Sequence, residues 1–528
     1  MILLTLIIIP ALAGGLAFAV RSTIGRRAIL VVTALVHAGL TASLWIDRPS
    51  PAVNQWLQVD SLGLLFVSIV SGLFLASAMY SIAYLREEEA ARHVDREEGF
   101  LFSNEPEAVF VGCLLLFLAS MTLVTLSHHL GLLWVGIEGT TLASAPLIYF
   151  HRHHRSLEAT WKYILICSVG IALALMGNFV LSVATTSADG RHEIPLIVNR
   201  LLANAGLIRV DWLKASFLFF LVGYGTKMGL APLHTWLPDA HSEAPSPVSA
   251  LLSGALLNCA FLGILRVHQL CVAAGEAAFS GPLLILFGLL SLTVAAVFIV
   301  RQSDMKRMLA YSSVEHMGVQ AIGVGLGGAG VFGAMLHAVN HSVIKAALFL
   351  TAGNILAYFG RKRVDEVSGM ARVLPVSTVL WIAGFLAITG TPPFGAFLSE
   401  FTILKAALDG EHAVVAVFYL AMLALIFVGM ANVFLHMAQG KPPEAVGPGV
   451  RETPLAVLPP VLLLSCALLL GIYVPRPLDG VCRDVQKGFE APQIGATSVH
   501  THAGMASSKA TLSPAEHPRK VIRSSPWR

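Results

Sequence analysis

A chain of 528 residues could make two or three soluble domains, but 56% of this one is hydrophobic and only 12% is charged, against roughly 25% charged in ordinary globular proteins. The mean hydropathy of +0.74 places it among polytopic membrane proteins, with apolar runs along its whole length and no separate soluble domain. The formal net charge of +4 is spread among loops, which excludes the clustered basic footprint of a nucleic-acid-binding protein.

The chain opens with MILLTLIIIPALAGGLAFAV, with no basic leader and no A-x-A site, and is read as a retained first span. Taking about 20 apolar residues per bilayer crossing, spans are predicted near 1–20, 28–46, 62–84, 108–126, 128–149, 160–185, 212–232, 245–268, 280–301, 308–326, 329–358, 374–405, 412–437 and 454–474. That makes an all-α protein of ~14 crossings. Loops with Arg21, Arg26, Arg27, Arg86, Arg92, Arg96, Arg152, Arg155, Arg301, Lys306, Arg307, Arg361, Lys362, Arg363, Arg372, Lys441 and Arg451 fall on one side. The opposite loops carry fewer, mainly Arg48, Arg191, Arg200, Arg209 and Lys405, so the positive-inside rule puts both termini outside. From Pro475 to Arg528 the chain is polar and rich in Ser, Pro and His, and is expected to be a disordered tail. Cys113, Cys167, Cys259, Cys271, Cys466 and Cys482 lack C-x-x-C or zinc-like spacing and are read as packing residues, not as cluster ligands or disulfides.

Two spans are interrupted. Pro232, Pro238, Pro245 and Pro247 break the seventh and eighth, and TGTPPFGAFLSEF, with Pro392 and Pro393, breaks the twelfth. Non-helical backbone at membrane depth is tolerated only where it is enclosed by protein or lines a wet cavity, and paired broken helices mark a transporter's working centres. PLHTWLPD (232–239) and PFGAFLSE (393–400) also align, five spans apart. An odd offset inverts orientation, which suggests two inverted five-helix repeats, 108–273 and 274–440. They follow three N-terminal helices in 1–107 and precede a last helix in 441–474 and the tail, 475–528.

A charge at the bilayer centre costs at least about 2.5 kcal/mol, so ionisable residues inside apolar runs need a partner, a wet cavity or a function. Glu138 has only uncharged neighbours in its span, and Lys227 closes another. A buried Glu and Lys that approach and separate can take up and release a proton; the alternative is a static tie between helices. His337, His341 and Lys345 recur at i, i+4 and i+8 on one helix face, a pattern suited to proton relay or to a static polar seam. Two His at i, i+4 are half of a zinc site, but no Glu or third ligand accompanies them, so no metal is expected. Glu400 follows the second break and is read as a path terminus, while Lys405 could merely snorkel. His234 lies in the first break, and His128 and His129 at a span boundary read as interfacial. GLGGAG (325–330) lacks a βαβ context and reads as a close-packed turn, and HRHHR (151–155) as a headgroup-facing loop. No quinone, flavin or nucleotide site follows from the residues.

The motif KMGLAPLHTWLPDAHSEAPSPVSALLSG, with DMKRMLAYSSVEHMGV, NHSVIKAALF and TPPFGAFLSEF, resembles the antiporter-like membrane subunits of respiratory complex I, multisubunit sodium/proton antiporters and membrane-bound nickel–iron hydrogenases, over roughly residues 55–440. Its wording is most similar to hydrogenase 4 component F. The resemblance implies the ~14-helix fold with inverted repeats. It matches Glu138 and Lys227 to a proton-switching pair, His337, His341 and Lys345 to a central hydrophilic axis, and Glu400 to a terminal charged site. It also implies a subunit without its own redox cofactor, partnered in a bacterial inner membrane by other membrane subunits and a soluble redox arm with Ni–Fe and iron–sulfur centres. The transported ion is then the proton, with sodium as the alternative. Some complex I relatives have a lysine where this chain has Asn258, so a lysine-to-lysine relay needs another bridge, such as water or His268. The competing readings are a subunit of complex I (NADH:quinone oxidoreductase), a sodium/proton antiporter subunit driven by an ion gradient alone, and a membrane anchor that moves no ions.

Overall fold

The computed structural model describes residues 1–90, 102–186, 193–443 and 452–490. Arg92, Arg96, Arg191, Arg451 and the tail beyond 490 lie outside these residues. Among the described residues all regular structure is helical, as it must be where lipid leaves no water to satisfy backbone groups. In chain order the helices are α1 (Ile2–Ala19), α2 (Thr23–Ser43), α3 (Ser61–Ala90), α4 (Glu107–Leu126), α5 (Leu130–Ile148), α6 (His154–Thr185), α7 (Val198–Ala203), α8 (Val210–Met228), α9 (Trp236–Glu243) and α10 (Ser246–Leu251). A π-helical turn, Leu252–Leu256, leads into α11 (Leu257–Ala273). There follow α12 (Ala277–Ile299), α13 (Met305–Leu326), α14 (Ala329–Phe359), α15 (Met370–Val373), α16 (Pro375–Ile388), α17 (Gly395–Asp409), α18 (Ala413–Ala438), α19 (Pro454–Ile472) and α20 (Arg476–Lys487).

Eleven of these segments are long and apolar enough to cross a membrane. The other three predicted spans are α8, α13 and the split pair α16–α17. They miss that description because α8 carries Asp211, Lys214 and Lys227, α13 is made too polar by Glu315, His316 and Gln320 after Lys306 and Arg307 at its start, and the last pair is broken. Of the candidate residues, Lys227 and Glu400 lie in these polar or broken spans, whereas Glu138 on α5 and His337, His341 and Lys345 on α14 sit in two of the eleven apolar ones. The α10–α11 span, packed against α3, α8 and α14, is wholly buried, whereas α1, α2 and α18 are largely exposed and leave apolar side chains for lipid. Close packing relies on small residues: a Cβ on Gly223 of α8 would meet backbone of α6 at 2.6 Å.

The two ends of the bundle differ. At one end, ion pairs join Arg27 to Glu107 (2.7 Å), Arg152 to Glu105 (3.2 Å), Lys162 and Arg307 to Asp239, and Lys362 to Glu243. At the other, Arg266 grips Asp60 with both terminal nitrogens, and His128 lies 3.7 Å from the same carboxylate. His128 is thus fully buried, not interfacial. HRHHR likewise turns inward in part: His151 bonds Tyr84 and Asn104, and His153 caps α6. The glycine run at 325–330 is the expected tight turn, with Gly327 and Gly328 at positive φ.

The expected disorder from Pro475 onward fails for its first part, which forms α20. Its polar composition hid an amphipathic pattern: Val481, Cys482 and Val485 are buried, and Arg483 lies over the Phe332 ring at 5.3 Å. All six cysteines are free thiols.

Candidate functional site

The first break supplies the first buried cation. α8 ends at Gly229, whose φ of 83° favours glycine, and its backbone groups find partners across the interruption. Trp236 Nε1 donates to the Thr226 carbonyl at 2.8 Å, and Ser291 Oγ accepts from the Ala231 amide at 2.9 Å. Lys227, in the last turn of α8, is fully buried. Its Nζ donates to Tyr163 at 2.6 Å and Thr141 at 2.8 Å and lies 4.3 Å from the centre of the Tyr163 ring. Tyr163 in turn shares a 2.6 Å hydrogen bond with Ser144. Glu138 is one turn before Thr141; its Oε1 accepts from Ser168 at 3.4 Å, and its Oε2 is buried without a partner. Lys227 and Glu138 thus share a neighbourhood without being paired.

Beyond the break, His241 of α9 packs against Trp236 on one side and Phe349 of α14 on the other. Lys345 of α14 is fully buried and donates to the Leu309 carbonyl of α13 at 2.7 Å, with Glu315 of α13 acting on it electrostatically. His341 Nε2 reaches the Ser253 carbonyl, in the π-helical turn, at 3.4 Å. The His341 ring is 5.1 Å from that of His316, and His316 Nδ1 and His337 Nε2 share a 3.0 Å hydrogen bond. Ser399 Oγ donates to the Ala396 carbonyl at 2.9 Å, so it accepts from His337 Nδ1, also at 2.9 Å. That assigns the proton of His337 to Nδ1 and makes Nε2 the acceptor for His316. Glu400 follows Ser399, and its Oε1 is buried without a partner.

The predicted residues divide clearly. His337, His341 and Lys345 line one buried row with Glu400 at its end, and Lys227 begins the row on the far side of His241. His234 stands apart: its ring faces Tyr311 at 6.1 Å, and it has no hydrogen bond to Lys227. Of the breaking prolines, Pro232 and Pro392–Pro393 lie in the two interruptions, Pro238 sits inside α9, and Pro245 immediately precedes α10. Lys405 is exposed and paired with Asp409, off the row. Asn258 is buried on α11 and donates to Gly254 O and to Ser342 Oγ of α14, each at 2.8 Å.

Residues 127–426, more than half of the chain and the whole stretch from Glu138 to Glu400, match the family described as NADH:quinone oxidoreductase/Mrp antiporter, transmembrane. The chain belongs to this family. It is 34% identical over 434 residues to a hydrogenase-4 component F homolog from Methylacidiphilum infernorum, covering 82% of this chain and 88% of that protein. It is 28% identical over 458 residues to hydrogenase-4 component B from Escherichia coli, covering 82% of this chain and 65% of the relative. In structure it resembles a chain of the Mrp complex from Dietzia sp. DQ12-45-1b, with a TM-score of 0.80 at 19% identity over 93% of this chain and 97% of that one. It is an antiporter-like integral membrane subunit, homologous to subunits of hydrogenase 4, Mrp antiporters and complex I.

Two members of the row, His241 and His316, and two residues beside it, Glu315 and Tyr163, were not among the residues singled out in the sequence of this family member. Glu315 and His316 met the criterion that selected Glu138, ionisable groups in a predicted span, but stood in a motif read only for its resemblance. Tyr163 carries no charge and gave no signal; its role as acceptor for Lys227 comes only from the packing of α6 on α8.

Proposed function

We propose that this chain is the proton-translocating subunit of a redox-driven complex in the bacterial cytoplasmic membrane, most like a group 4 nickel–iron hydrogenase, with both termini outside. The observation that carries the reading is the buried row Lys227, His241, Lys345, His341, His316, His337, Glu400, because such groups are costly in a membrane unless they work together. Partner membrane subunits and a soluble arm with Ni–Fe and iron–sulfur centres would supply the redox step; this chain supplies charge movement. Lys227 leaves Tyr163 and Thr141 for Glu138 when charge shifts at one end, and its proton state changes with that move. Lys345 and the three histidines pass a proton toward Glu400, with Asn258 and Ser342 tying α11 to α14 beside them. The inverted five-helix halves fit the same reading, since α8–α9 and α16–α17 are both interrupted and run in opposite senses between the two ends.

The test is proton pumping by the complex in proteoliposomes. Lys227→Ala should abolish pumping with assembly intact; undiminished pumping overturns the scheme. Copurification of a nickel-bearing arm supports the hydrogenase assignment. An NADH-oxidising arm, or sodium-dependent transport without any redox partner, overturns it.

A further inference from the structure

Donors that can ligate a metal are scattered in the sequence and meet at the Glu400 end of the row. One donor atom from each of His316, His337 and Glu400 lies within 4.8 Å of the other two, and all three residues are buried. They come from α13, α14 and α17, so the set is held by three packed helices. Glu400 Oε1 and His316 Nε2 have no hydrogen-bond partner. A buried polar atom left unpaired costs about 1–3 kcal/mol, and more if charged, so Glu400 Oε1 is poised for a ligand from outside the chain, while His316 Nε2 is free to take the ring proton.

We propose that His316, His337 and Glu400 form a binding site for a divalent cation of the zinc class, with water as the fourth ligand. Two imidazoles, one carboxylate and an open position are a recurrent zinc donor set. Tetrahedral bonds of about 2.0–2.1 Å put neighbouring donors roughly 3.3 Å apart, and the two imidazole nitrogens already stand 3.0 Å apart. The tautomer of His337 is already correct: Ser399 holds the Nδ1 proton and leaves the Nε2 lone pair free for a metal. The proton at His316 Nδ1 must leave that atom, and His316 Nε2 is free to carry one, 3.9 Å from Glu315 Oε2. Any proton on Glu400 is released to solvent. With its proton released, Glu400 supplies one negative charge to the ion, and Glu315, beside His316, supplies a second once it too is deprotonated. The other facing groups are Lys345, engaged with Leu309 O; His341, with its ring 5.1 Å from His316; and Tyr419 of α18 beside Glu400. Access is through the second break, where Thr389, Gly390 and Thr391 are half-exposed and Glu400 Oε2 fills the space a Cβ on Gly390 would need. The ligand pair is thus not the i, i+4 pair His337 and His341, because His341 turns to Ser253.

On the reading of the preceding subsection, an ion bound here sits where a proton passes, so zinc would also slow translocation. Binding is therefore measured separately from flux. The intact complex, stripped with chelator and equilibrated with Zn2+, is desalted and its metal counted by mass spectrometry; Co2+ is then added as a visible probe. One zinc per chain and a tetrahedral Co2+ spectrum are expected, both lost in His337→Gln and Glu400→Gln. Ser399→Ala, which leaves all three ligands in place, should weaken binding by about 10- to 100-fold. His37→Gln, a buried histidine bonded to Ser71 and Thr122 far from the site, should bind like the wild type. No zinc in the wild type, or equal zinc in the folded Glu400→Gln variant, overturns the site. Binding without any effect on flux leaves the site standing and overturns the path through it.

Discussion

Lys227 Nζ donates to the Tyr163 hydroxyl at 2.6 Å, while Glu138, the acid expected to pair with it, makes no ion pair and bonds Ser168 instead. The cation is held on a neutral phenol and a threonine within reach of a second state. A resting state with the pair apart is what a proton switch needs, since a permanent pair would hold both groups charged.

Tyr163→Phe should therefore slow pumping without blocking assembly. A hydrogen bond to a charged group contributes about 1.5–3 kcal/mol, or roughly 10- to 100-fold in the balance between the two positions of Lys227. Losing it favours the closed pair with Glu138. The expected result is at least about a tenfold fall in flux, read in proteoliposomes, with unchanged yield of the complex; wild-type flux would mean that the contact is idle.

Glu315→Gln tests the partner that the sequence reading passed over. Glu315 is buried and is the opposite charge acting on Lys345. Removing it leaves Lys345 buried without its nearby counter-charge, which is destabilising, so the yield of folded complex should drop and flux should fall more than tenfold. Adding Lys345→Met removes the stranded charge; it should restore yield and leave flux low. Restored flux in the double variant would place the pair among purely structural ties.

Much of this was legible because lipid is a strict solvent. Ionisable residues and prolines stand out against apolar runs, so Lys227, Glu400, the histidine stripe and both breaks could be read from the chain. Proximity could not. The sequence paired Lys227 with Glu138, but the close approach of α6 and α8 at Gly223 interposes Tyr163. It also dismissed a metal for want of a third ligand, yet folding brings His316 and Glu400 to His337 from other helices. α20 was missed because its polar average concealed a buried face formed by Val481, Cys482 and Val485.

Asn258→Ala should separate packing from transport at the α11–α14 crossing. The amide gives two hydrogen bonds, to Gly254 O and Ser342 Oγ, each contributing about 0.5–1.5 kcal/mol. A loss of roughly 1–3 kcal/mol in stability follows, visible as a lower melting temperature in detergent. If the polar crossing beside His341 runs through this amide, flux falls further than Asn258→Gln lowers it; equal flux in the two variants would remove Asn258 from the path.

The Asp60–Arg266–His128 cluster, at the end opposite the basic loops, predicts a pH dependence whose sign is fixed. Burial, and next the nearby Arg266 guanidinium, push His128 down to about 4 against the pull of Asp60. An unfolded chain returns it to about 6.5. Between those values the unfolded state binds a proton that the folded state refuses, so stability falls as pH falls through this window. For His128 alone the fall amounts to at most about 3 kcal/mol. Asp60 acts in a lower window: burial opposes its charge, but Arg266 holds it well below the usual carboxylate range, so its contribution disappears only at more acid pH. Melting temperatures of wild type and His128→Gln, measured from about pH 7.5 to about 4.5, should run parallel above 6.5 and converge below it. Parallel curves throughout would show that His128 takes up its proton in the folded state.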